Sequence, residues 1–260
     1  MLKRTASLNS YIHKTSSDTL FRSKSFHILP PRNILDININ CQNPRLINGY
    51  VPAVRETEVE EAIKAATQLY QSIQTDGWMK HIQNITEREK AIYKIPKEAR
   101  TSEDLWDMRC CITHNLLNKL TKLLTLIKNT GDTQNHAYFV CCINNKPIGA
   151  MLLRKYYSKH NPPYFPGISF IITHPGIQNC AYLLLEKAVN MSYKMGYRGK
   201  LKLTLATDEL SQKVYEKMGF IKMETPDNMK MTLDPNENSA WTFVPDHGGY
   251  RFIGTCKYSQ

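Results

Sequence analysis

The chain has 260 residues, of which 42% are hydrophobic, so it is long enough for one large domain or two small ones. No apolar run reaches the ~18 residues of a membrane-spanning helix, and the sequence therefore predicts no transmembrane segment. The net charge of +11 favours acidic partners, which include nucleic acid, anionic lipid and acidic protein surfaces.

The cysteines are scattered, although two pairs of them are adjacent in sequence. Adjacent cysteines rarely bridge each other, because the required geometry strains the backbone. The sequence contains neither a CxxC motif nor a Cys/His group with the spacing of a zinc site. This pattern indicates free thiols in a reducing compartment rather than a disulfide scaffold.

The first 45 residues are basic and rich in Ser and Thr, and they lack the apolar core of a Sec signal peptide. We predict a disordered basic leader over 1–45 and a single domain over 46–260. Three interpretations of the leader stay open. The preferred interpretation is the signal of a bacterial type III effector, which would be secreted into a host cell; the alternatives are a mitochondrial presequence and a disordered tail on a cytoplasmic protein.

The first half of the domain is predicted to be mainly helical. Residues 33–39 alternate weakly and are expected to form a first strand. Residues 56–73 carry an apolar stripe at helical spacing, with acids in the first turn. The strongest helical pattern covers residues 101–129, with Ser102 as its cap and Gly131 just after its end.

The second half changes to the period of strands, with two helices between them. An antiparallel pair is predicted over 137–143 and 148–157, and the strand over 168–173 is apolar throughout and therefore expected to be central. The remaining elements follow in chain order: a helix over 180–197, a strand over 200–207, a helix over 208–219 and two further strand pairs. This order predicts an α+β (mixed α/β) fold.

The segment LKLTLATDELSQKVYEKMGF (201–220) resembles a motif of the GNAT superfamily, the acyl-CoA-dependent N-acetyltransferases. The family commonly has Asn and Ala after a strand and then Leu-Tyr-Glu-Lys-x-Gly-Phe; here Asp208 and Ser211 take the first two places, and Tyr215 matches directly. The hairpin with Gly149 after its turn is also similar to the family's. The resemblance covers residues 132–235 and implies a central, mostly antiparallel sheet flanked by helices, with acetyl-CoA as co-substrate.

The resemblance also implies roles for single residues. Tyr215 would be the general acid that protonates the departing CoA thiolate, and its alternative is a core tyrosine. Asp208 would bind the cofactor or simply cap its helix. Ile172 and Thr173 would offer main-chain groups to the pantetheine arm. His174 is the candidate base for the acceptor amine, and its alternative is a loop or cap histidine.

The expected cofactor loop departs from the family's glycine-rich pattern. Gln178 can take its first place, but Cys180 and Ala181 stand where glycines are usual. Glycines help there because backbone N–H groups must approach the pyrophosphate closely. A helix that begins near Asn179 still offers free N–H donors and a positive dipole, so these four residues are expected to bind the cofactor.

The function that follows from the resemblance is transfer of an acetyl group from acetyl-CoA to a primary amine by direct attack. The preferred acceptor is a protein, in the effector interpretation a host protein. Two alternatives stay open. One is an inactive GNAT-like fold that binds protein, RNA or a membrane, although no RNA-binding motif is visible. The other is a GNAT toxin that acetylates aminoacyl-tRNA.

Overall fold

The computed structural model describes residues 52–75, 79, 81–155, 165–178, 180–204, 209–223 and 230–254, together with a short segment at Ile37–Asn38. For Ile37–Asn38, Gln178 and residues 209–210 it describes the backbone alone. The rest of the predicted leader lies outside the described residues, and so do Asn179 and Asp208. The interpretations of these residues therefore stay predictions.

The described residues form α-helices and strands that we number in chain order. The helices are α1 (Val59–Thr75), α2 (Ile85–Lys94), α3 (Ser102–Thr130), α4 (Ala181–Ser192) and α5 (Glu209–Lys217). The strands are β1 (Ile37–Asn38), β2 (Ala53–Thr57), β3 (His136–Ile143), β4 (Lys146–Arg154), β5 (Gly167–Thr173), β6 (Ile177–Gln178), β7 (Leu201–Thr204), β8 (Ile221–Lys222), β9 (Lys230–Leu233), β10 (Trp241–Val244) and β11 (Gly249–Phe252).

Seven strands form the main sheet in the order β2-β3-β4-β5-β7-β9-β8. Every neighbouring pair is antiparallel except β5 and β7, which run parallel. The predicted α+β fold with a mostly antiparallel sheet flanked by helices is confirmed, and the apolar strand β5 is central as expected. Two small sheets lie apart from it, a parallel β1–β6 pair and an antiparallel β10–β11 hairpin.

Each face of the sheet has its own hydrophobic core, because successive side chains of a strand point to opposite sides. Phe139 and Met151 pack against α4 and the β10–β11 hairpin on one face, which we call the α4 face. Tyr138, Leu152 and Ile172 pack against α1 and α3 on the other, which we call the α3 face. The two-residue period of the sequence thus specified two layers of helices.

Helix α3 corrects one expectation and confirms another. Its cap is Thr101, not Ser102: the Thr101 side chain accepts the N–H of Asp104, and the Asp104 carboxylate accepts the N–H of Thr101. Ser102 is already the first helical residue. The helix ends at Gly131 with a φ of 72°, the left-handed conformation that glycine adopts without steric cost.

Two elements before α3 were not predicted. Residues 53–57 form the edge strand β2 against β3, so the helix expected over 56–73 begins only at Val59. Helix α2 is a short helix whose one buried residue is Ile92, which gives a weak apolar stripe. Asn84 caps it by accepting the N–H of Glu87. Among the described residues, no helix combines the length and apolarity needed to cross a bilayer.

Candidate active site

Strands β5 and β7 are neighbours in the middle of the main sheet. Their described parallel pairing joins Gly167 with Lys202 and Ile168 with Leu203. Just beyond it, Ser169 is an extra residue in β5, because its neighbours pair with consecutive residues of β4. Such a bulge bends its strand. The later residues of β5 keep their β4 partners but pair with no described residue of β7.

Gly149 of β4 lets its strand lie close to the end of β5, where it pairs with Thr173. A Cβ atom at this position would come within 3.2 Å of the Ile172 carbonyl oxygen and of Leu184 Cδ1. A larger residue would therefore push on the carbonyl that the resemblance assigns to cofactor binding. The Ile172 side chain is buried in the α3 face, so only the main chain of this residue is available to a ligand.

His174 holds the turn that follows β5. Its ring is fully buried, and Nδ1 accepts the N–H of Gly176 at 3.1 Å. The backbone N–H of His174 donates to the carbonyl of Ile148 at 2.8 Å. Burial lowers the pKa of His174 to about 4, so the ring is neutral at pH 7. A buried ring whose Nδ1 lone pair is engaged favours the interpretation as a cap over that as a base.

No side chain of the first turn of α4 caps the backbone N–H groups of that turn. The N-cap residue Cys180 makes no side-chain capping bond, and no acidic residue lies in the first turn. Burial raises the pKa of the Cys180 thiol to about 12, against a hydrogen bond with Thr173 that lowers it. The neutral thiol does not repel an anion. The N–H of Leu183 donates to the Cys180 carbonyl at 3.2 Å, and the earlier N–H groups of the turn, together with the helix dipole, suit a phosphate.

Five of the predicted cofactor residues can be placed. Ile172 and Thr173 form the last two positions of β5, and Thr173 touches Cys180 through the bond just described. Cys180 and the half-buried Ala181 lie on the core of the α4 face. The backbone of Gln178 belongs to β6. The carboxyl end of β5 and the start of α4 therefore meet.

Tyr215 lies on α5 and packs partly buried against the same α4-face core. Its ring contacts the ring of Phe220 edge to face at 5.7 Å. The N–H groups of Met218 and Phe220 both donate to the Tyr215 carbonyl at 3.0 Å, and Gly219 between them has a φ of 93°. The Gly-Phe that follows the helix thus fixes Tyr215 in place. These contacts agree with Tyr215 as a core tyrosine, and they are also compatible with Tyr215 as the general acid.

A charged network at the start of α3 was missed by sequence reasoning. The Asp107 side chain, 1% exposed, accepts from Arg88 Nε at 2.7 Å and contacts His81 Nε2 at 2.5 Å. Arg88 Nη2 also donates to Asp104 at 2.9 Å. These residues come from three separate segments, so no spacing rule could find them. The one local signal is an acid between two core residues, Trp106 and Met108.

Residues 101–220 match the sequence model of the acetyltransferase (GNAT) family. The GNAT resemblance is therefore confirmed over this part of the chain, from the cap of α3 to the Phe220 that follows α5. The match starts earlier than the predicted 132–235, because it includes α3, and it ends earlier as well. No curated protein matches the sequence.

Several solved structures are similar in fold. They include the PaiA N-acetyltransferase from Thermoplasma acidophilum in complex with coenzyme A, at 14% identity over 70% of this chain and 98% of that one, with a TM-score of 0.40. An N-acetyltransferase from Staphylococcus aureus Mu50 has 16% identity over 70% and 98%, with a TM-score of 0.39. A GNAT-family acetyltransferase from Streptococcus pneumoniae has 18% identity over 70% and 97%, with a TM-score of 0.37.

Proposed function

We propose that this protein, whose residues 101–220 match the acetyltransferase (GNAT) family, is a working enzyme that transfers the acetyl group of acetyl-CoA to a primary amine. One observation carries the proposal. Strand β5 bulges at Ser169, just beyond its described pairs with β7, and its last residue Thr173 contacts Cys180 at the start of α4, which has no side-chain cap. A cofactor with an extended arm and a pyrophosphate fits those two features in that order.

The pantetheine arm would bind along β5. Beyond Ile168, this strand has its β4 partners on one side and no described β7 partner on the other. Main-chain groups on the open side, at Ile172 and Thr173, can bond to the amides of the arm as a neighbouring strand would. Gly149 supports this arrangement, because it leaves the Ile172 carbonyl undisturbed.

The pyrophosphate would bind at the first turn of α4, where Cys180 and Ala181 replace the usual glycines. Side chains at these positions do not block the approach, because the Cys180 thiol is buried and turned to Thr173. The backbone N–H groups are then left to face the ligand. Acetyl-CoA also fits the family that residues 101–220 match.

The chemistry is direct attack of a neutral amine on the thioester carbonyl carbon. A C–N bond forms, the C–S bond breaks, and the electron pair leaves on sulfur as the CoA thiolate. Tyr215 would give its phenolic proton to that sulfur, which lowers the barrier to departure. Its fixed position at the end of α5 supplies the pre-organisation that a general acid needs.

The first experiment is thermal unfolding with and without acetyl-CoA. Ligand at about a hundred times its dissociation constant stabilises the folded state by about 2.7 kcal/mol. For a chain of this size the midpoint should rise by roughly 5–10 °C. An unchanged unfolding midpoint with acetyl-CoA, coenzyme A and longer acyl-CoAs would contradict the proposal and favour an inactive fold that acts as a binding module.

The acceptor is then identified by the release of free CoA. Lysine peptides stand for the preferred protein acceptor, spermidine for a small amine, and aminoacyl-tRNA for the acceptor of a GNAT toxin. Sustained CoA release with one of the three would name the acceptor class. A preference for aminoacyl-tRNA would replace the protein acceptor and would agree with the net charge of +11.

A further inference from the structure

The strongest unused feature is the pair formed by His81 and Asp107 on the α3 face. Both carboxylate oxygens of Asp107 are engaged, Oδ2 by Arg88 Nε at 2.7 Å and Oδ1 by His81 Nε2 at 2.5 Å. The Asp107 side chain is 1% exposed, whereas the His81 side chain is 42% exposed. A buried carboxylate therefore holds an imidazole that solvent and solutes can reach.

The hydrogen bonds fix the tautomer of His81. Arg88 carries a permanent positive charge and donates to Asp107 Oδ2, and a carboxylate paired in this way accepts hydrogen bonds through both oxygens. The short contact then requires the proton on His81 Nε2, and this leaves the lone pair on Nδ1. A carboxylate that orients a histidine in this way also stabilises the imidazolium that forms when Nδ1 takes up a proton.

The pair lies at the same edge of the sheet as the candidate cofactor site. Helix α3, which carries Asp107, contacts β5. Arg109 Nη1 donates to the carbonyl of Pro175, in the turn that follows β5, at 3.4 Å. The first turns of α3 therefore reach the turn that follows the carboxyl end of β5.

The backbone around His81 is anchored on the core. Met79 is buried in the α3 face, and Ile82 packs against the same cluster. The N–H of Ile82 donates to the carbonyl of Met79 at 2.9 Å. His81 lies between these two anchors, so its ring has a defined place although it belongs to the connection between α1 and α2.

We propose that His81, oriented by Asp107, is the general base of the transfer reaction. The inference rests on the proposed function. As the amine nitrogen bonds to the thioester carbon, its proton passes to His81 Nδ1, while the CoA thiolate takes the proton of Tyr215. His174 cannot fill this role as well, because its ring is buried and its Nδ1 accepts the N–H of Gly176.

A metal ion is the competing interpretation of the same residues. The ligand atoms of His81, Glu103 and Asp107 all lie within 4.8 Å of one another. Asp107, however, already has Arg88 on one oxygen and His81 on the other. The base proposal predicts that EDTA leaves turnover unchanged and that Glu103→Gln behaves as the parent protein. Loss of turnover in EDTA, restored by a divalent cation, would overturn it in favour of a metal site.

The test compares His81→Gln with His114→Gln. His114 lies on α3, the helix that carries Asp107, but it contacts Tyr70 and Gln74 instead of Asp107. With the lysine peptide, spermidine or aminoacyl-tRNA as acceptor, His81→Gln should lower kcat by about 10²–10⁴-fold and leave acetyl-CoA binding unchanged. His114→Gln should match the parent. Turnover of His81→Gln within twofold of the parent would overturn the proposal.

Two readouts separate a base from a merely structural histidine. The fall of kcat/KM at acidic pH should be weaker in His81→Gln than in the parent, because no imidazole is left to protonate and only the acceptor amine still titrates. Added imidazole should restore part of the turnover of His81→Ala, since the ring position is half exposed. A variant that loses turnover but keeps the parent's pH profile, and that imidazole does not rescue, would assign His81 a structural role and overturn the proposal.

The failure of this inference differs from the failure of the proposed function. If the parent protein does not bind acetyl-CoA in thermal unfolding, the proposed function itself fails. If it binds acetyl-CoA and acetylates none of the three amines, the transfer step and its base both fail while cofactor binding stands. If transfer occurs and His81→Gln is active, only the base is wrong.

Discussion

The first turns of α3 and α4 are built in opposite ways. Thr101 and Asp104 satisfy each other's backbone N–H groups at the start of α3, and two acids occupy its first turn. At the start of α4, Cys180 provides no side-chain cap, and no acid is present in the turn. A helix that satisfies its own donors has nothing left for a ligand, whereas an open one keeps both donors and a positive dipole.

The same contrast extends to the charges around each helix start. The α3 start lies in a network of ionised groups, in which Arg88 pairs with Asp104 and Asp107. The α4 start is surrounded by groups that burial keeps neutral, because the pKa of Cys180 is raised to about 12 and that of His174 lowered to about 4. This contrast agrees with the proposed binding of the cofactor's pyrophosphate at α4 and the proposed proton transfer from the amine on the α3 side.

The largest expected effect is the loss of turnover in Tyr215→Phe, which should leave cofactor binding at the start of α4 unchanged. Tyr215→Phe removes the proton donor and should lower turnover by about 10- to 10⁴-fold, measured as CoA release. Acetyl-CoA binding should stay at the parent value, because the first turn of α4 is untouched. Tyr193→Phe, whose ring packs with Phe243 and Tyr250 elsewhere, is the control. Unchanged turnover of Tyr215→Phe would remove the assigned role.

The second prediction concerns the neutral histidine before α4. Unfolded His174 has an ordinary pKa near 6.5 and takes up a proton more readily than the folded residue, whose pKa is about 4. Its contribution to stability is present above pH 6.5 and is lost as the pH falls toward 4, by about 3 kcal/mol in all. Urea unfolding at several pH values measures this loss.

The variant His174→Asn is the control for this pH-dependent unfolding, since an amide oxygen can still accept the N–H of Gly176. Its free energy of unfolding should vary less between pH 6.5 and 4 than that of the parent. Equal pH dependence in both proteins would show that His174 is protonated in the folded state, and that the turn before α4 is not held by a neutral ring.

The third prediction tests the open helix start with a charge. Ala181→Asp adds a carboxylate to the first turn of α4 and should weaken acetyl-CoA binding by about tenfold or more through repulsion of the phosphates. The same charge favours the helix itself by about 0.3–1 kcal/mol. Affinity and stability should therefore change in opposite directions, as titration calorimetry and urea unfolding can show.

Ser102→Asp is the matched variant at the first turn of α3, where Ser102 is exposed. It should leave acetyl-CoA affinity unchanged, because that helix start lies within its own capping box. Equal weakening by both substitutions would mean that the charge acts through the overall field of the protein, and the contrast between the two helices would be lost.

The smallest effect belongs to the closed helix. Thr101→Ala removes the capping box and should cost about 1 kcal/mol of unfolding free energy at pH 7, with acetyl-CoA affinity unchanged. The hydrogen bonds from Thr101 hold the pKa of Asp104 below its ordinary value. The stability that Asp104 contributes is present at neutral pH and is lost as the pH falls through its lowered pKa.

As the pH falls, Thr101→Ala should therefore lose the stability that Asp104 contributes at a higher pH than the parent does. Acid unfolding followed by far-ultraviolet circular dichroism measures this difference. An acid midpoint identical to that of the parent would show that Arg88, rather than Thr101, sets the charge of Asp104.

The sequence specified most of the elements because each element's pattern is local. The alternation in β3 and β4 and the Leu-rich stripe of α3 report directly which side chains are buried, and the Tyr-Glu-Lys-x-Gly-Phe of α5 carries its own stop. Helix α2 was missed because a short helix with one buried residue leaves little periodic signal. Thr101 was missed as a cap because Ser102 beside it has an equally suitable side chain.

The α+β fold, the central place of β5 and the position of Tyr215 could thus be inferred from the sequence by itself, since they depend on periods of two and 3.6 residues and on a short motif. The tertiary structure alone decided where β5 bulges against β4, how deeply His174 is buried, and that His81 meets Asp107 across 26 residues of chain. Strand partners, burial depth and ion pairs are contacts between distant residues, and no local pattern encodes which distant residues meet.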